Sequence, residues 1–515
     1  MVPVSGGVGP RASIFSSFHL GIVQRQGLRN TLISYIGLGI GFVSSTLVLT
    51  RLLTPAQLGL TSVLVSLATL AAQLAAFGFA STALRYFPYF RNSAKGHSGF
   101  LPLLLGVPLL GFAAVAAALW AGKSFVLSRF SSDAALLGPN YPAIILLTLA
   151  VLLLSLQDAY LKSLFYTGFS SFLQEIFLRL YIVGAAGLFW RGYLSFDGFV
   201  LAYVGGYALV DVLLAAYLLA IGELHLRPTR AVLRVRPLRE LLAFGGFALL
   251  GNLSGTIMVT IDALMVGAKL SLAAAGIYAI AFNISTALTL PFRALYKTAF
   301  PLIAEYWKEG AMEKMADFYA RTTRLNTVLG CYLALGLGLN LDFVYGLIHR
   351  PAYAAGSVAV LLLLVGRLVD GITGVNGIIV LTSPRYRFDL VFNASLAVAI
   401  VALNALLIPR LGLAGAALSN CLALVGINVL RTWFVWRTYG LQPFDRRIPL
   451  IGALAAGAGL AAWLLPVPPN IWGALLLRGG TLTVLYGAGL LLTGAAPEVN
   501  GLAAHGWARL RGRRA

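Results

Sequence analysis

The chain has 515 residues, 59% of them hydrophobic and only 11% charged, with a mean hydropathy of +0.86. Soluble domains carry about 25% charged residues, so a water-soluble globular protein is excluded, and long continuous apolar runs in place of alternating ten-residue segments exclude a transmembrane barrel. A formal charge of +21 would suit nucleic acid, but the cations sit in short loops beside apolar runs, where membrane orientation puts them, so no nucleic-acid partner is expected.

Each crossing of roughly 30 Å of hydrocarbon takes about 20 apolar residues of helix. In chain order, a Gly/Ser-rich segment at residues 1–30 lacks the compact core of a removable signal peptide. Fourteen apolar spans follow, at about 31–50, 58–80, 99–121, 143–165, 176–195, 198–221, 241–267, 276–296, 325–348, 357–381, 389–408, 412–436, 448–466 and 471–493. The expected fold is an all-α polytopic membrane protein of about 14 transmembrane helices. It divides into an N-lobe at 31–221, a basic linker at 222–240, a C-lobe at 241–437, two added spans at 448–493 and a basic tail at 494–515. With the N-terminus placed in the cytoplasm, 29 of the 38 Lys and Arg fall on the inner side and seven on the outer, which puts both termini inside. Pro301–Arg324 interleaves Trp307, Phe318 and Tyr319 with Lys308, Glu313 and Asp317, the composition of an interfacial helix or of a mechanical connector. Cys331 and Cys421 fall inside spans, as packing residues. The five histidines lie outside the apolar centres of the spans, so no metal site and no cofactor are expected.

The text after the first span returns after the seventh. Thr54-Pro-Ala-Gln-Leu-Gly59 and Ser271-Leu-Ala-Ala-Ala-Gly276 both place a hydroxyl five residues before a glycine that opens the next span. The spans that follow end at Arg85-Tyr-Phe-Pro88 and Lys297-Thr-Ala-Phe-Pro301, the second copy four residues shorter. Six spans separate the copies, an even number, so both run the same way through the membrane. That predicts two parallel six-helix lobes related by an axis along the membrane normal.

These segments carry a resemblance. Arg51-Leu-Leu-Thr-Pro-Ala-Gln-Leu-Gly59, Ala76-Phe-Gly-Phe-Ala80 with Leu84-Arg85-Tyr86, Ile261-Asp262-Ala-Leu-Met-Val-Gly267 and Leu407-Ile-Pro-Arg-Leu-Gly412-Leu-Ala-Gly resemble the polysaccharide flippases. These belong to the multidrug/oligosaccharidyl-lipid/polysaccharide exporter superfamily, and the resemblance covers roughly residues 25–440. It implies a V-shaped transporter in the bacterial cytoplasmic membrane. Such a transporter moves undecaprenyl-diphosphate-linked oligosaccharide, such as an O-antigen repeat unit, between leaflets by alternating access. Its partners would be that lipid-linked substrate, membrane lipids, and a polysaccharide polymerase and glycosyltransferases. The two added spans resemble fourteen-helix members, among which lipid II flippases are an alternative.

Intramembrane polar groups are costly and mark function or pairing. Asn283, Thr286, Leu290, Arg293 and Lys297 fall on one face of the eighth span, with Pro291 placed to bend or locally open it, either lining a hydrophilic cavity or snorkelling to headgroups. Arg367 and Asp370, one turn apart in the tenth span, are placed to pair; an unpaired Arg367 would instead suit a diphosphate. Arg85, at the inner end of the second span, is a substrate ligand or a headgroup anchor. Asp158 lies four residues from Lys162 and Asp262 lies near Lys269, each a candidate pair, while Asp211 has no partner in its own helix. The expected substrate-binding residues are therefore Arg85, Asn283, Arg293, Lys297 and Arg367, and the ion-coupling or gating residues Asp211, Asp262 and Asp370. A cation-coupled multidrug exporter would favour cavity acids over this basic stripe. An enzyme is not expected: the longest outer loop, Gly122–Pro142, holds one acid, Asp133, and there is no phosphate-binding loop.

Overall fold

A computed structural model describes residues 33, 35–229, 231–466 and 468–501. The expectations for residues 1–30 and for most of the basic tail lie outside these. The described residues form helices α1 (Tyr35–Leu52), α2 (Pro55–Ala76), α3 (Phe79–Phe90), α4 (Phe100–Ala121), α5 (Lys123–Arg129), α6 (Ala134–Ser163), α7 (Thr167–Trp190), α8 (Phe196–Ala220) and α9 (Ala231–Val235). They continue with α10 (Leu238–Lys269), α11 (Leu272–Thr286), α12 (Leu290–Glu309), α13 (Met312–Leu339), α14 (Leu341–Ile348), α15 (Ser357–Ile372), α16 (Asn376–Thr382), α17 (Arg387–Tyr439), α18 (Arg447–Leu464) and α19 (Ile471–Thr493).

Twelve of these elements are long and apolar enough to cross a membrane, and α13 with α14, bent by 56°, make a thirteenth. The 53-residue α17 supplies one crossing more than its single label suggests. It folds back at Gly412, whose φ of 59° and ψ of −133° no helical residue adopts. Leu396 and Ile400 before the bend share a core with Ala423 and Ile427 after it, and Arg431 donates to the Asn393 side chain at 2.8 Å, so the two arms run antiparallel. The protein is a multi-pass membrane protein. Its helices are ringed with exposed apolar side chains, among them Leu110, Leu476 and Leu492, which only a lipid solvent would reward.

The helices fall into two compact units. One holds the described residues up to Ser44, then Leu74–Ala117 and Ile145–Ala248; the other holds Ser45–Gln73, Ala118–Ile144 and the described residues from Leu249 on. In the first unit Phe87 packs edge-on against Phe100 and Tyr160, all three buried. In the second, α18 and α19 pack on α13 through Ala455, Ala458, Leu482 and Tyr486, in a core that includes Cys331.

Three segments depart from a single regular helix. The eighth span is not one helix: α11 ends at Thr286, a tight 3-10 turn covers Ala287–Thr289, and α12 restarts with Pro291 in its first turn, where a missing N–H is tolerated. The tenth span likewise breaks between α15 and α16, with Gly374 at φ 70°. The segment 301–324 is not one helix. It is the end of α12, a turn at Gly310 and the start of α13, and its apolar Ile303, Met315 and Tyr319 are fully buried against Val375, Ile379 and Val435.

The repeated text has a structural counterpart within the second unit. Ser271 and Thr54 both use their side-chain oxygens to accept an amide three residues on, from Ala274 at 3.1 Å and Gln57 at 3.3 Å, so each caps a helix. The glycines five residues on meet each other. A Cβ on Gly59 would strike the Leu272 carbonyl and lie 2.9 Å from the Gly276 nitrogen; a Cβ on Gly276 would strike the Pro55 carbonyl and lie 3.0 Å from the Gly59 nitrogen. Pro55 and Leu272 occupy equivalent places in the two copies. Each copy therefore presents the same atoms to the other, the reciprocity a two-fold axis demands. Only glycine permits so close a crossing.

Candidate functional site

The polar groups of the second unit gather where α11 and α15 lose regular geometry. Arg367, inside α15, donates from Nε to Ser285 Oγ at 2.9 Å and lies 4.4 Å over the Phe282 ring of α11. It does not pair with Asp370: among the described residues no ion pair joins them. Asp370 instead accepts from Asn428 Nδ2 at 2.9 Å. Asn428 in turn accepts from Thr373 and Asn376 at 2.9 and 3.1 Å, and Asn376 also donates to Thr432 at 3.2 Å. Asn326 donates to the Gly371 carbonyl at 2.9 Å. Asn326 thereby gives a donor to a backbone carbonyl freed where α15 gives way to α16, while Asn428 engages the Asp370 carboxylate and braces the Thr373 and Asn376 side chains. Arg367 is left positive, oriented by a hydroxyl and an aromatic face, and makes no other hydrogen bond among the described residues.

The other expected ligands are distributed around this arginine or apart from it. Asn283, on α11, donates to Ser45 Oγ at 3.4 Å. Arg293 and Lys297 are exposed on α12, beyond the 3-10 turn, so the expected single stripe is split between two helices. Arg293 is nonetheless an electrostatic neighbour of Arg367. Arg85 belongs to the first unit, where it lies 4.4 Å over the Phe244 ring and makes no ion pair among the described residues.

The acids differ from expectation in their partners. Asp158 and Lys162 do pair, at 2.5 Å, and Ser170 donates to the same carboxylate. Asp262 does not pair with Lys269, whose Nζ reaches toward the Ala405 carbonyl at 3.4 Å. It is 1% exposed and accepts from Asn404 Nδ2 at 2.6 Å, Asn420 Nδ2 at 2.8 Å and the Tyr278 hydroxyl at 2.8 Å. Beside it Asn404 Oδ1 is buried without a donor. The result is a carboxylate and an orphaned amide oxygen enclosed by α10, α11 and both arms of α17. Asp211 of α8, 6% exposed, keeps one oxygen with no hydrogen-bond partner.

Two arrangements escaped the sequence reading. Glu175 and Arg179 pair at 2.8 Å inside α7. The fifth span was expected to begin near residue 176, which put Arg179 at its end; the helix begins at Thr167, which puts it in the middle. The signal was the four-residue Glu-to-Arg spacing. The second is a loop clamp. His97, buried at 1% exposure, meets Glu223 at 2.6 Å, and His225 stands 3.7 Å from the same oxygen. The ligand atoms lie within 4.8 Å of one another. However, His97 Nδ1 accepts the Asn92 amide at 3.0 Å, which assigns the ring proton to Nε2, the atom a metal would need. The cluster ties the 92–99 loop, whose residues from Gly96 to Gly99 are all left-handed, to the end of α8.

Comparison with known proteins fits this architecture. The family model described as polysaccharide biosynthesis protein matches residues 24–307, more than half of the chain. No curated protein matches the sequence. Among solved structures, the chain is similar to the lipid II flippase MurJ in an inward closed conformation, with a TM-score of 0.70 and 11% identity over 90% of this chain and 98% of that one. It is also similar to an inward-facing multidrug resistance transporter of the MATE family, with a TM-score of 0.62 and 12% identity over 79% of this chain and 94% of that one. A transporter of the same superfamily from Pyrococcus furiosus gives a TM-score of 0.56 and 13% identity over 80% of this chain and 95% of that one. At these identities the likeness shows the fold alone. The chain belongs to the polysaccharide biosynthesis protein family and has the fold of the multidrug/oligosaccharidyl-lipid/polysaccharide exporter superfamily.

Proposed function

We propose that the protein is a flippase that moves undecaprenyl-diphosphate-linked oligosaccharide, a surface-polysaccharide repeat unit, across the bacterial cytoplasmic membrane by alternating access between two six-helix lobes. Arg367 carries the reading. A guanidinium inside a span, with its neighbouring acid engaged by Asn428 and with no other hydrogen bond among the described residues, suits a diphosphate, whose paired oxygens match its fork. Arg293 and Lys297 add positive charge within the second unit and Arg85 within the first, and Asn283 offers amide hydrogen bonds to sugar. No bond is made or broken, so the protein is not an enzyme. Binding neutralises the diphosphate in the cavity while the polyprenyl chain stays in lipid.

Asp262 anchors the coupling cation: its carboxylate and the orphaned Asn404 oxygen form an oxygen site suited to a hard monovalent ion. Asp211 is a second coupling candidate, as a buried carboxyl with one oxygen unpartnered among the described residues. Asp370 acts through Asn428 on the α15 break. Both termini face the cytoplasm, where the cations of the loops are gathered, and glycosyltransferases and a polymerase work on either side of the step. The structural likeness to a lipid II flippase gives a second reading within the same chemistry, a peptidoglycan precursor as the diphosphate lipid. Depletion in the native cell tests the two: the first predicts lipid-linked glycan accumulating in the inner leaflet with loss of surface glycan, the second arrest of wall synthesis. Normal surface glycan without the protein rejects the first.

A further inference from the structure

The middle of α7 carries a charged pair that the proposed pathway leaves unused. The helix spans 24 residues, Thr167–Trp190. Arg179 lies about 17 Å from either end at a rise of about 1.5 Å per residue. Arg179 Nη2 meets Glu175 Oε2 at 2.8 Å, yet the two side chains stay 30% and 36% exposed. Charges at that depth are tolerated when paired or hydrated. Pairing satisfies one side of each group; the exposed part demands a polar, water-reached surface, since lipid would penalise it.

The backbone around the pair is built for it. Glu175 sits at the centre of a π-helical turn, Leu173–Phe177, and α1 has another at Val43–Val48. Such turns are rare and concentrate at functional sites. Arg179 Nη1 donates to the Gly37 carbonyl of α1, and its guanidinium fills the place a Cβ of Gly41 would take. A Cβ on Gly37 would lie 2.6 Å from the Glu175 Cβ. Helix α1 thus gives up side chains on this face to admit the pair, which a snorkelling arginine would not require.

We propose that Arg179 is a ligand for the diphosphate of a polyprenyl-linked substrate, and that Glu175 is its resident counterion, displaced when the diphosphate arrives. The proposal rests on the flippase reading and adds a binding residue to it. Carboxylate and phosphate compete for the same guanidinium fork. While the site is empty, Glu175 keeps the arginine neutralised inside the membrane; once the substrate is bound, its negative charge opposes the ligand and favours release.

The competition makes an unusual prediction: neutralising an acidic residue of the site strengthens binding. Binding of undecaprenyl diphosphate to the full-length protein in detergent is measured, with undecaprenol as the uncharged control. Glu175→Gln should bind the diphosphate about three- to tenfold tighter, the scale of a half-exposed ion pair. Arg179→Gln should bind it weaker by at least as much, Arg179→Lys should fall between, and none should alter the response to undecaprenol. A structural pair would leave Glu175→Gln unchanged or weaker. If the wild type binds but Glu175→Gln gains nothing, or Arg179→Gln loses nothing, this assignment is overturned and the flippase reading stands. If the wild type ignores the diphosphate lipid, both fall.

Discussion

Gly59 and Gly276 allow the sharpest mechanical prediction. Replacing Gly59 with valine puts new carbon on the Leu272 backbone, 2.6 Å from its carbonyl carbon and 2.9 Å from the Gly276 nitrogen. No side chain can move aside, because every obstructing atom is backbone. Restoring contacts to about 3.5 Å requires the starts of α2 and α11 to part by roughly 1 to 2 Å. Overpacking of this kind costs about 1–3 kcal/mol, while valine and glycine differ in helix propensity by less than about 0.5 kcal/mol, so the clash decides the sign. The closed crossing should lose about five- to a hundredfold in population relative to a parted one. The assay is maleimide labelling of Thr61→Cys, a position 8% exposed and half a turn below the crossing; the native Cys331 and Cys421 are both buried. Labelling should accelerate in Gly59→Val and by a similar factor in Gly276→Val, because the two contacts are reciprocal. Unchanged labelling in a protein of normal melting temperature, or a large effect at one glycine and none at the other, would refute the two-fold crossing.

Arg367→Lys keeps the charge but loses the fork and the ring contact, so transport should fall about tenfold or more with folding intact, read by flipping rate beside melting temperature. Asp262→Asn leaves the Asn404, Asn420 and Tyr278 donors without an anionic acceptor in a site 1% exposed. A loss of about 2–4 kcal/mol is expected in chemical unfolding, and a wild-type midpoint would contradict the reading. At the end of the described chain, Arg324 meets Asp445 at 2.7 Å and Glu498 at 2.5 Å. Burial raises Glu498, but the Arg324 hydrogen bonds, a backbone hydrogen bond and the charges of Arg324 and Arg321 together outweigh it and leave the carboxyl below its ordinary value. A depressed carboxylate contributes stability that is present above its unfolded pKa of about 4.3 and lost as pH falls through the lower folded value. Melting should therefore be insensitive to this group near neutrality and decline in acid, and Glu498→Gln should flatten that decline.

Much of the architecture was legible because the bilayer imposes a length on each apolar run. Span number, helix class and the repeated Thr54/Gly59 and Ser271/Gly276 text could be read from order alone, and the glycine crossing gives the repeat its physical meaning. Breaks inside spans were not legible. Pro291 warned of one, but the α15 break is braced by Asn428 and Thr432 of α17, which accept from the Thr373 and Asn376 side chains. Pairing by helical spacing worked for Asp158 and Lys162, where a single further donor, Ser170, reaches the acid among the described residues. It failed for Arg367 and Asp370, where Asn428 competes for the acid from 58 residues away, and for Asp262, whose three donors come from other helices. Arg179 was misplaced by an error in the start of its span, which turned an interior charge into a loop cation. Spacing along one helix reports neighbours in sequence; charges inside a bundle are decided by neighbours in space.

The most direct test is flipping of a fluorescent undecaprenyl-diphosphate oligosaccharide by the purified protein in liposomes, followed by the fraction of probe accessible to an added glycosidase. Alternating-access transport through a cationic path predicts rapid equilibration of the probe between leaflets, slowed to the protein-free rate by Arg367→Gln. A wild-type protein that leaves the probe in its original leaflet, in liposomes where it is folded and inserted in both orientations, would contradict it.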